Sequence, residues 1–358
     1  MSTQDFNATI DVRTGEELDM SLIQPLIDQH INVEGAAEVT QFPAGQSNLT
    51  YQLTYPSGLK LVLRRPPFGT IPKSGHSMIR EFEVMQALKP VFSAVPDVIF
   101  HVSAEDSPIG AEFYVMHHVD GVKPGRNMPK GVTLSEADAR SLCLAFVDKL
   151  IELHSVDYKA AGLENFGKPE GYVERQIMGW NNRWRKAKTD DVPDYSDVTD
   201  WLEANMPKGE EGHSIVHGDY RLDNLILDPS NLSNILAVLD WEISALGDPL
   251  MDLGNTLAYW LEEGDPEDVK MLRMQPSHVP GMLTRSDIVA YYGQKTGRDM
   301  AGFDFYLVYG TFRLAVILQQ IYYRYYHGQT KNPGFANFGK QVAVLGDHAR
   351  RLIAESKG

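Results

Sequence analysis

The chain has 358 residues, 43% apolar and 23% charged, with 33 Lys and Arg against 48 Asp and Glu, for a formal net charge of −15. That length suits two lobes or domains, the composition is neither disordered nor fibrous, and the acidity argues against nucleic acid as a partner. A single cysteine, Cys143, excludes an internal disulfide and a thiolate-only zinc site, so a reducing, cytoplasmic setting is expected.

The N-terminal segment MSTQDFNATIDV lacks the basic start and apolar core of an export signal. Residues 38 to 65 alternate apolar and polar side chains in three short runs, broken at Pro43 to Gly45 and Pro56 to Gly58, which predicts an antiparallel meander. Met78, Phe82, Met85 and Leu88 follow at helical spacing, and Pro90 stops that helix. FYVMHHV reads as a strand ending at the turn Asp120-Gly121, and a Pro- and Gly-bearing stretch comes next. The expected division is therefore a small sheet-plus-helix lobe over residues 1–120 and a larger lobe over 121–358.

The larger lobe reads as mostly helical. Ser135 and Asp138 form a capping pair ahead of a helix with Leu142, Phe146, Leu150 and Leu153 on one face. Further helices are expected over about 249–262, 285–295, 303–326 and 335–355. The apolar run Phe305 to Tyr326 is interrupted by Arg313, Gln319, Gln320 and Arg324, so it predicts a buried helix and no membrane span. Only one pair of strands is expected among these helices.

That pair begins in IVHGDYRLDNLILD, residues 215–228. NLIL (Asn224 to Leu227) and ILAVLD (Ile235 to Asp240) are joined by the turn formers DPSNLSN. Paired as a hairpin, they make Asn224 and Asp240 neighbours at one mouth, with Cβ atoms about 5 Å apart. Asp219, five residues before Asn224, lies on the loop entering that mouth. Two carboxylates and an amide oxygen suit a small hard cation such as Mg²⁺, which keeps water or phosphate oxygens in the rest of its shell. Such a metal suggests phosphoryl transfer, where positioning and charge neutralisation dominate. Taken singly, each of these residues has a plainer reading in turn chemistry, and their joint spacing with two strands favours the site. His217 is expected to brace the loop without reacting.

HGDYRLDN resembles the H-R-D-x-x-x-x-N catalytic loop of protein kinases with Gly218 in place of Arg, and HGD is the form seen in aminoglycoside phosphotransferases and choline kinases. The resemblance implies an α+β, two-lobed protein-kinase-like fold and an ATP- and Mg²⁺-dependent transfer of a phosphoryl group to a small-molecule hydroxyl. By that resemblance Asp219 orients and deprotonates the acceptor, while Asn224 and Asp240 hold Mg²⁺. WE follows Asp240, so the Phe-Gly switch of protein kinases is absent. The loop AGQSNLTY resembles the phosphate-covering turn, with Gly45 permitting close approach and Ser47 or backbone N–H groups contacting phosphate; as a motif it also fits a plain hairpin turn.

Arg64, at the end of the strand LKLVLRRPP, matches the family's clamp on the α- and β-phosphates, and Glu81 matches its acidic partner; alone, the two would read as a solvated surface pair. YVMHHVDG matches the hinge, where the His117 carbonyl and the Val119 N–H would bond the adenine edge and Met116 would line its pocket. The pair His117 and His118 needs no metal, since adjacent strand residues face opposite ways.

Arg221 could offset charge on the transferred group or brace the loop against Asp223 or Asp248. Asp248 follows Asp240 by only 8 residues, which leaves little room for a peptide-docking platform and favours a small acceptor. FPAGQSNLTY, LVLRRPP, ERQIMGWNNRW, HGDYRLDNLI and LDWEISALGDPLMDLG together look most like the kinase-like domains fused to some acyl-CoA dehydrogenases and their free-standing bacterial relatives. That similarity implies a hydroxyacyl thioester as acceptor, and the basic run Arg183, Arg185, Lys186 and Lys188 could meet coenzyme A phosphates or be a solvated helix face. Three other readings compete: a silent nucleotide-binding module, an aminoglycoside or amino-alcohol kinase, and a two-metal phosphatase. GDYRLD places its second Asp one residue too late for the phosphatase, and no G-N-H-[DE] segment follows. Nucleotide preference and oligomeric state have no sequence signal.

Overall fold

The computed structural model describes residues 9–43, 48–67, 77–209 and 212–356. The chain forms two compact units, with elements numbered along the chain. The first comprises Met1–Lys123, Lys159–Leu163 and Asn224–Ser244, and the second Pro124–Tyr158, Glu164–Asp223 and Ala245–Gly358.

The first unit contains α1 (Met20–Asp28), β1 (Glu38–Gln41), β2 (Leu49–Thr54), β3 (Lys60–Arg65), α2 (Met78–Leu88), β4 (Val98–Val102) and β5 (Phe113–His117). The strands form an antiparallel sheet in the order β1-β2-β3-β5-β4. Alternation explains its two faces. Tyr51, Leu53, Leu61, Leu63, Phe113 and Val115 form one core with Ile23 and Ile27 of α1. Arg64 pairs in register with Tyr114, and Tyr114 meets Phe82 of α2 at 6.4 Å between ring centroids. Ser77 caps α2 by accepting the Arg80 N–H, and Glu112 accepts the Met78 N–H at 2.9 Å. This fixes the helix turn that carries Glu81.

The same unit includes the hairpin of β7 (Leu225–Asp228) and β8 (Asn231–Val238), with Leu225 opposite Val238 and register shifts nearer the turn. Val122 exchanges two 2.8 Å backbone bonds with Leu227, and the Val238 N–H donates to the Ala94 carbonyl at 2.8 Å. Gly121 has a close-approach requirement: a Cβ there would lie 2.4 Å from the Ile226 side chain and 2.6 Å from the Leu227 carbonyl. The strands differ slightly from expectation. Asn224 closes a single 3₁₀ turn, Leu222–Asn224, just before β7, and β8 starts four residues before Ile235, because Asn231 and Asp228 pair at the turn.

The second unit holds α3 (Glu136–His154), α4 (Tyr172–Ala187), α5 (Ser196–Ala204), β6 (Ser214–Val216), β9 (Ala245–Gly247), α6 (Pro249–Ala258), α7 (Glu267–Lys270), α8 (Arg285–Thr296), α9 (Asp304–Tyr326) and α10 (Phe338–Glu355). The Ser135–Asp138 capping box opens α3, and a second box, Thr284–Asp287, opens α8. Helix α9 packs on α10, α6 and α4. It meets α6 backbone to backbone: a Cβ on Gly310 would lie 2.3 Å from the Gly254 carbonyl oxygen, and one on Gly254 would lie 2.4 Å from that of Tyr306.

Two expectations are corrected here. The antiparallel pair β6–β9 is a second strand pair in addition to β7–β8; its three-residue strands are too short to show an alternating pattern. Helix α6 stops at Ala258, short of 262, because the Tyr259 and Trp260 N–H groups bond three residues back to Thr256 and Leu257. Among the described residues no helix is long and apolar enough to cross a membrane.

Candidate active site

In the first unit, the Arg64 guanidinium bonds Glu81 Oε1 at 2.6 Å and Asp240 Oδ1 at 3.0 Å. Arg64 and Glu81 are enclosed, and the Asp240 side chain retains 33% exposure. Burial opposes charge on Arg64, but Glu81, Tyr114 and Asp240 together outweigh it and keep the guanidinium ionised. Burial pushes the Glu81 carboxyl upward; Arg64 opposes this, and Asp240 and Glu242 reinforce it. Glu81, Asp240 and Glu242 thus share one neighbourhood with Arg64.

Asp240 is the one non-glycine among the described residues with positive φ, at 69°. The left-handed backbone is tolerated by Asp better than by bulkier residues and turns the chain out of β8. Beside it, the Leu239 N–H donates to the Asn224 carbonyl at 2.8 Å, so the backbone joins the positions carrying Asn224 and Asp240. An Asp and an Asn are hard oxygen donors, few in number, as Mg²⁺ sites with retained water or phosphate oxygens require. The residues present therefore fit Mg²⁺. Among the described residues no cluster of three or more His, Cys, Asp and Glu forms a self-contained metal cage.

Sequence reasoning missed two supports in this unit. Asn48 Nδ2 donates to Glu242 Oε2 at 2.7 Å, and Arg80 donates to the Ser244 carbonyl at 3.2 Å. Both brace the segment that follows Asp240. Gly45 and Ser47 of the expected phosphate-covering turn lie outside the described residues. At the end of β5, Met116 is buried and His117 exposed. The His118 N–H donates to the Lys60 carbonyl at 3.1 Å, whereas among the described residues the Val119 N–H has no backbone partner.

In the second unit, Asp219 and Arg221 lie on the loop after β6. Asp252, fully enclosed in α6, accepts the backbone N–H groups of His217 and Gly218, each at 2.7 Å, and faces His154 Nε2 at 3.1 Å. Burial works against its charge, but the His154 hydrogen bond, with His154 and His217 adding to it, wins and holds the carboxyl below its usual range. Gly218 has φ 81°, a conformation glycine adopts at little cost. The Asp219 N–H then donates to His217 Nδ1 at 3.2 Å, so His217 braces the loop. Gln275 accepts the Leu222 N–H at 2.8 Å farther along. Sequence reasoning missed Asp252, His154 and Gln275, although the one charged residue in the mostly apolar run of α6 was an available signal.

Arg221 forms ion pairs with Asp219 at 3.1 Å and Asp223 at 3.3 Å and sits 4.6 Å over the Tyr259 ring. Asp248, the other partner considered, instead caps α6 by accepting the Leu250 and Met251 N–H groups. In the basic run, Arg185 pairs with Glu203 and Lys188 with Asp194, each at 2.7 Å, while Arg183 lies 4.5 Å from the Trp180 ring centroid. Cys143 is buried, and burial pushes its thiol up to about 12.

A small antiparallel sheet with an Arg–Glu–Asp cluster, and a helical unit with a braced HGD loop, define a kinase-like phosphotransferase. Residues 38–283 match the model of the phosphotransferase enzyme family, and the chain belongs to that family. It is 35% identical over 317 residues to acyl-CoA dehydrogenase family member 10 of Mus musculus, covering 88% of this chain but only 29% of that relative's length. A Ralstonia eutropha candidate aminoglycoside phosphotransferase shares 30% identity and superposes with a TM-score of 0.79 over 96% of this chain and all of its own. A choline kinase from Cryptosporidium parvum, at 14% identity, shares the fold with a TM-score of 0.63 over 94% of this chain and 97% of its own.

Proposed function

We propose that this phosphotransferase moves the γ-phosphoryl group of ATP, with Mg²⁺, to the hydroxyl of a small acceptor, a hydroxyacyl-CoA being the leading candidate, and that it works in the cytoplasm. The observation carrying this reading is Arg64 shared between Glu81 and Asp240.

In this reading Arg64 turns its planar fork to the α- and β-phosphates while Glu81 holds it in place. Backbone groups of His117 and Val119 bond the adenine edge and Met116 lines its pocket, with Gly45 and Ser47 covering the phosphates. Asn224 and Asp240 are the residues that would hold Mg²⁺, and the ion would neutralise charge on the phosphate oxygens. Asp219 accepts the proton of the acceptor hydroxyl, with its position fixed through His217 and Asp252. Arg221, drawn between Asp219 and Asp223, supplies positive charge where the transferred group passes. The similarity to an acyl-CoA dehydrogenase family member supports the thioester class of acceptor.

The test is turnover of ATP by purified protein with Mg²⁺ against hydroxyacyl thioesters, amino alcohols and aminoglycosides, with products identified by mass. Phosphorylation of a thioester hydroxyl supports the reading. Release of phosphate from generic esters with no transfer overturns it.

A further inference from the structure

Arg313 interrupts the long apolar helix α9 and is not used by the chemistry described above. Its side chain is enclosed, with 7% exposure, yet among the described residues no hydrogen bond or carboxylate ion pair is made by its guanidinium. Burying a charge without a partner is costly; Gln319, six positions on in α9, by contrast donates its Nε2 to the Ala187 carbonyl at 2.7 Å and to Thr189 Oγ1 at 3.2 Å. What surrounds Arg313 is aromatic. Its Cζ lies 5.1 Å from the Trp180 ring centroid, and Arg183 lies 4.5 Å from the same centroid. Such contacts stabilise a cation weakly and leave its donors unfilled.

Placement makes that vacancy informative. Gly310, one turn earlier, lets α9 touch α6 at Gly254, and α6 carries the Asp252 that braces the Asp219 loop. Burial disfavours the charge on Arg313, and Tyr309, Tyr259, Asp219 and Tyr172 favour it, with a net rise. Asp219 therefore acts on Arg313 through space, beyond ion-pair range. Tyr259 is shared: the guanidinium of Arg221 stacks on it, and it is among the groups acting on Arg313. The unit that supplies the proposed base thus also supplies a preformed cationic site in an aromatic frame.

We infer that Arg313 is the recognition residue for an oxyanion carried by the acceptor, a carboxylate or a phosphate, held in the second unit by a guanidinium that has donors but no internal acceptor. The inference rests on the phosphotransferase reading and narrows it: the acceptor is an anionic hydroxy compound, and cationic amino alcohols and aminoglycosides are disfavoured. Arg183, also beside the Trp180 ring, adds to the attraction. The two sources of oxyanion differ in which fragment binds: a free hydroxy acid presents its carboxylate, a coenzyme A thioester its phosphates.

The experiment is equilibrium binding, by calorimetry and tryptophan fluorescence with ADP present, of butyrate, coenzyme A, butyramide and ethanolamine to the wild type, Arg313→Gln and Arg313→Lys. At least one anion should bind, the amide and amine should not, and Arg313→Gln should weaken that binding by at least about 30-fold, with partial recovery in Arg313→Lys. Preference for butyrate assigns a carboxylate and preference for coenzyme A a phosphate. Equal binding of amide and anion by the wild type overturns the inference even if Arg313→Gln does not fold. So does unchanged anion binding in a folded Arg313→Gln. Because binding is read without turnover, failure here is separable from failure of phosphoryl transfer: a protein that phosphorylates a neutral or cationic acceptor keeps the function and loses this inference.

Discussion

Arg64 stands between two carboxylates, 2.6 Å from Glu81 and 3.0 Å from Asp240, and so joins a helix residue to a residue just beyond the β7–β8 hairpin. Arg64→Ala should destabilise the protein by about 3 kcal/mol, because Glu81 is then left buried without its counter-ion, and should weaken ATP binding at least about tenfold. Arg64→Lys should recover part of both, as a point charge cannot reach both partners with the same fork. Denaturant unfolding and nucleotide titration measure the two effects.

Asp252 holds the N–H groups of His217 and Gly218, which open the loop carrying Asp219. In Asp252→Asn one acceptor becomes a donor facing an N–H group, so a stability loss of about 2 kcal/mol or more is expected. Turnover should fall at least about tenfold through displacement of Asp219. Nucleotide affinity should stay within about twofold, which a general collapse of the protein would not allow.

Helices α6 and α9 meet at Gly254 and Gly310. Gly310→Ala must push a backbone carbonyl away from 2.3 Å, and overpacking of this kind costs about 1–3 kcal/mol. The melting temperature should drop accordingly. Gly297→Ala, at the C-cap of α8 with open space around its Cβ position, should cost less and only through its left-handed backbone.

His348 is buried beside Arg285, Arg351, Asp265 and Asp268; burial first, then the Arg285 charge, pushes its imidazole down to about 4. The folded protein therefore keeps it neutral, while the unfolded chain protonates near 6.5. Its contribution is fully present above pH 6.5 and is lost as pH falls from 6.5 toward 4, amounting to about 3 kcal/mol at the low end. His348→Gln should flatten the stability profile over that window in urea unfolding.

Much of the local geometry was legible in the sequence because it is set over short range. Alternation in residues 38–65, the capping pair Ser135–Asp138 and the hairpin around DPSNLSN each depend on neighbours along the chain, and all three are present. The Arg64–Glu81 ion pair is also present and is enclosed rather than solvated, since both side chains lie between α2 and the sheet. What stayed hidden depends on distant segments. Asp252 meets His154 across 98 positions of sequence, β6 pairs with β9 through three residues each, and Asn48 reaches Glu242 across 194. No periodicity records such partners. Arg313 read only as an interruption of an apolar helix, because its environment is assembled from α4, α6 and α9.

The central claim is that Asp219 takes the acceptor's proton while a separate set of residues holds the nucleotide. It is tested most directly by Asp219→Asn, with single-turnover kinetics and ATP titration performed on the same preparation. The account requires the rate to fall at least about 10²-fold with ATP affinity nearly unchanged. A mutant that transfers phosphoryl groups at the wild-type rate, or that loses nucleotide binding in proportion to rate, would contradict it.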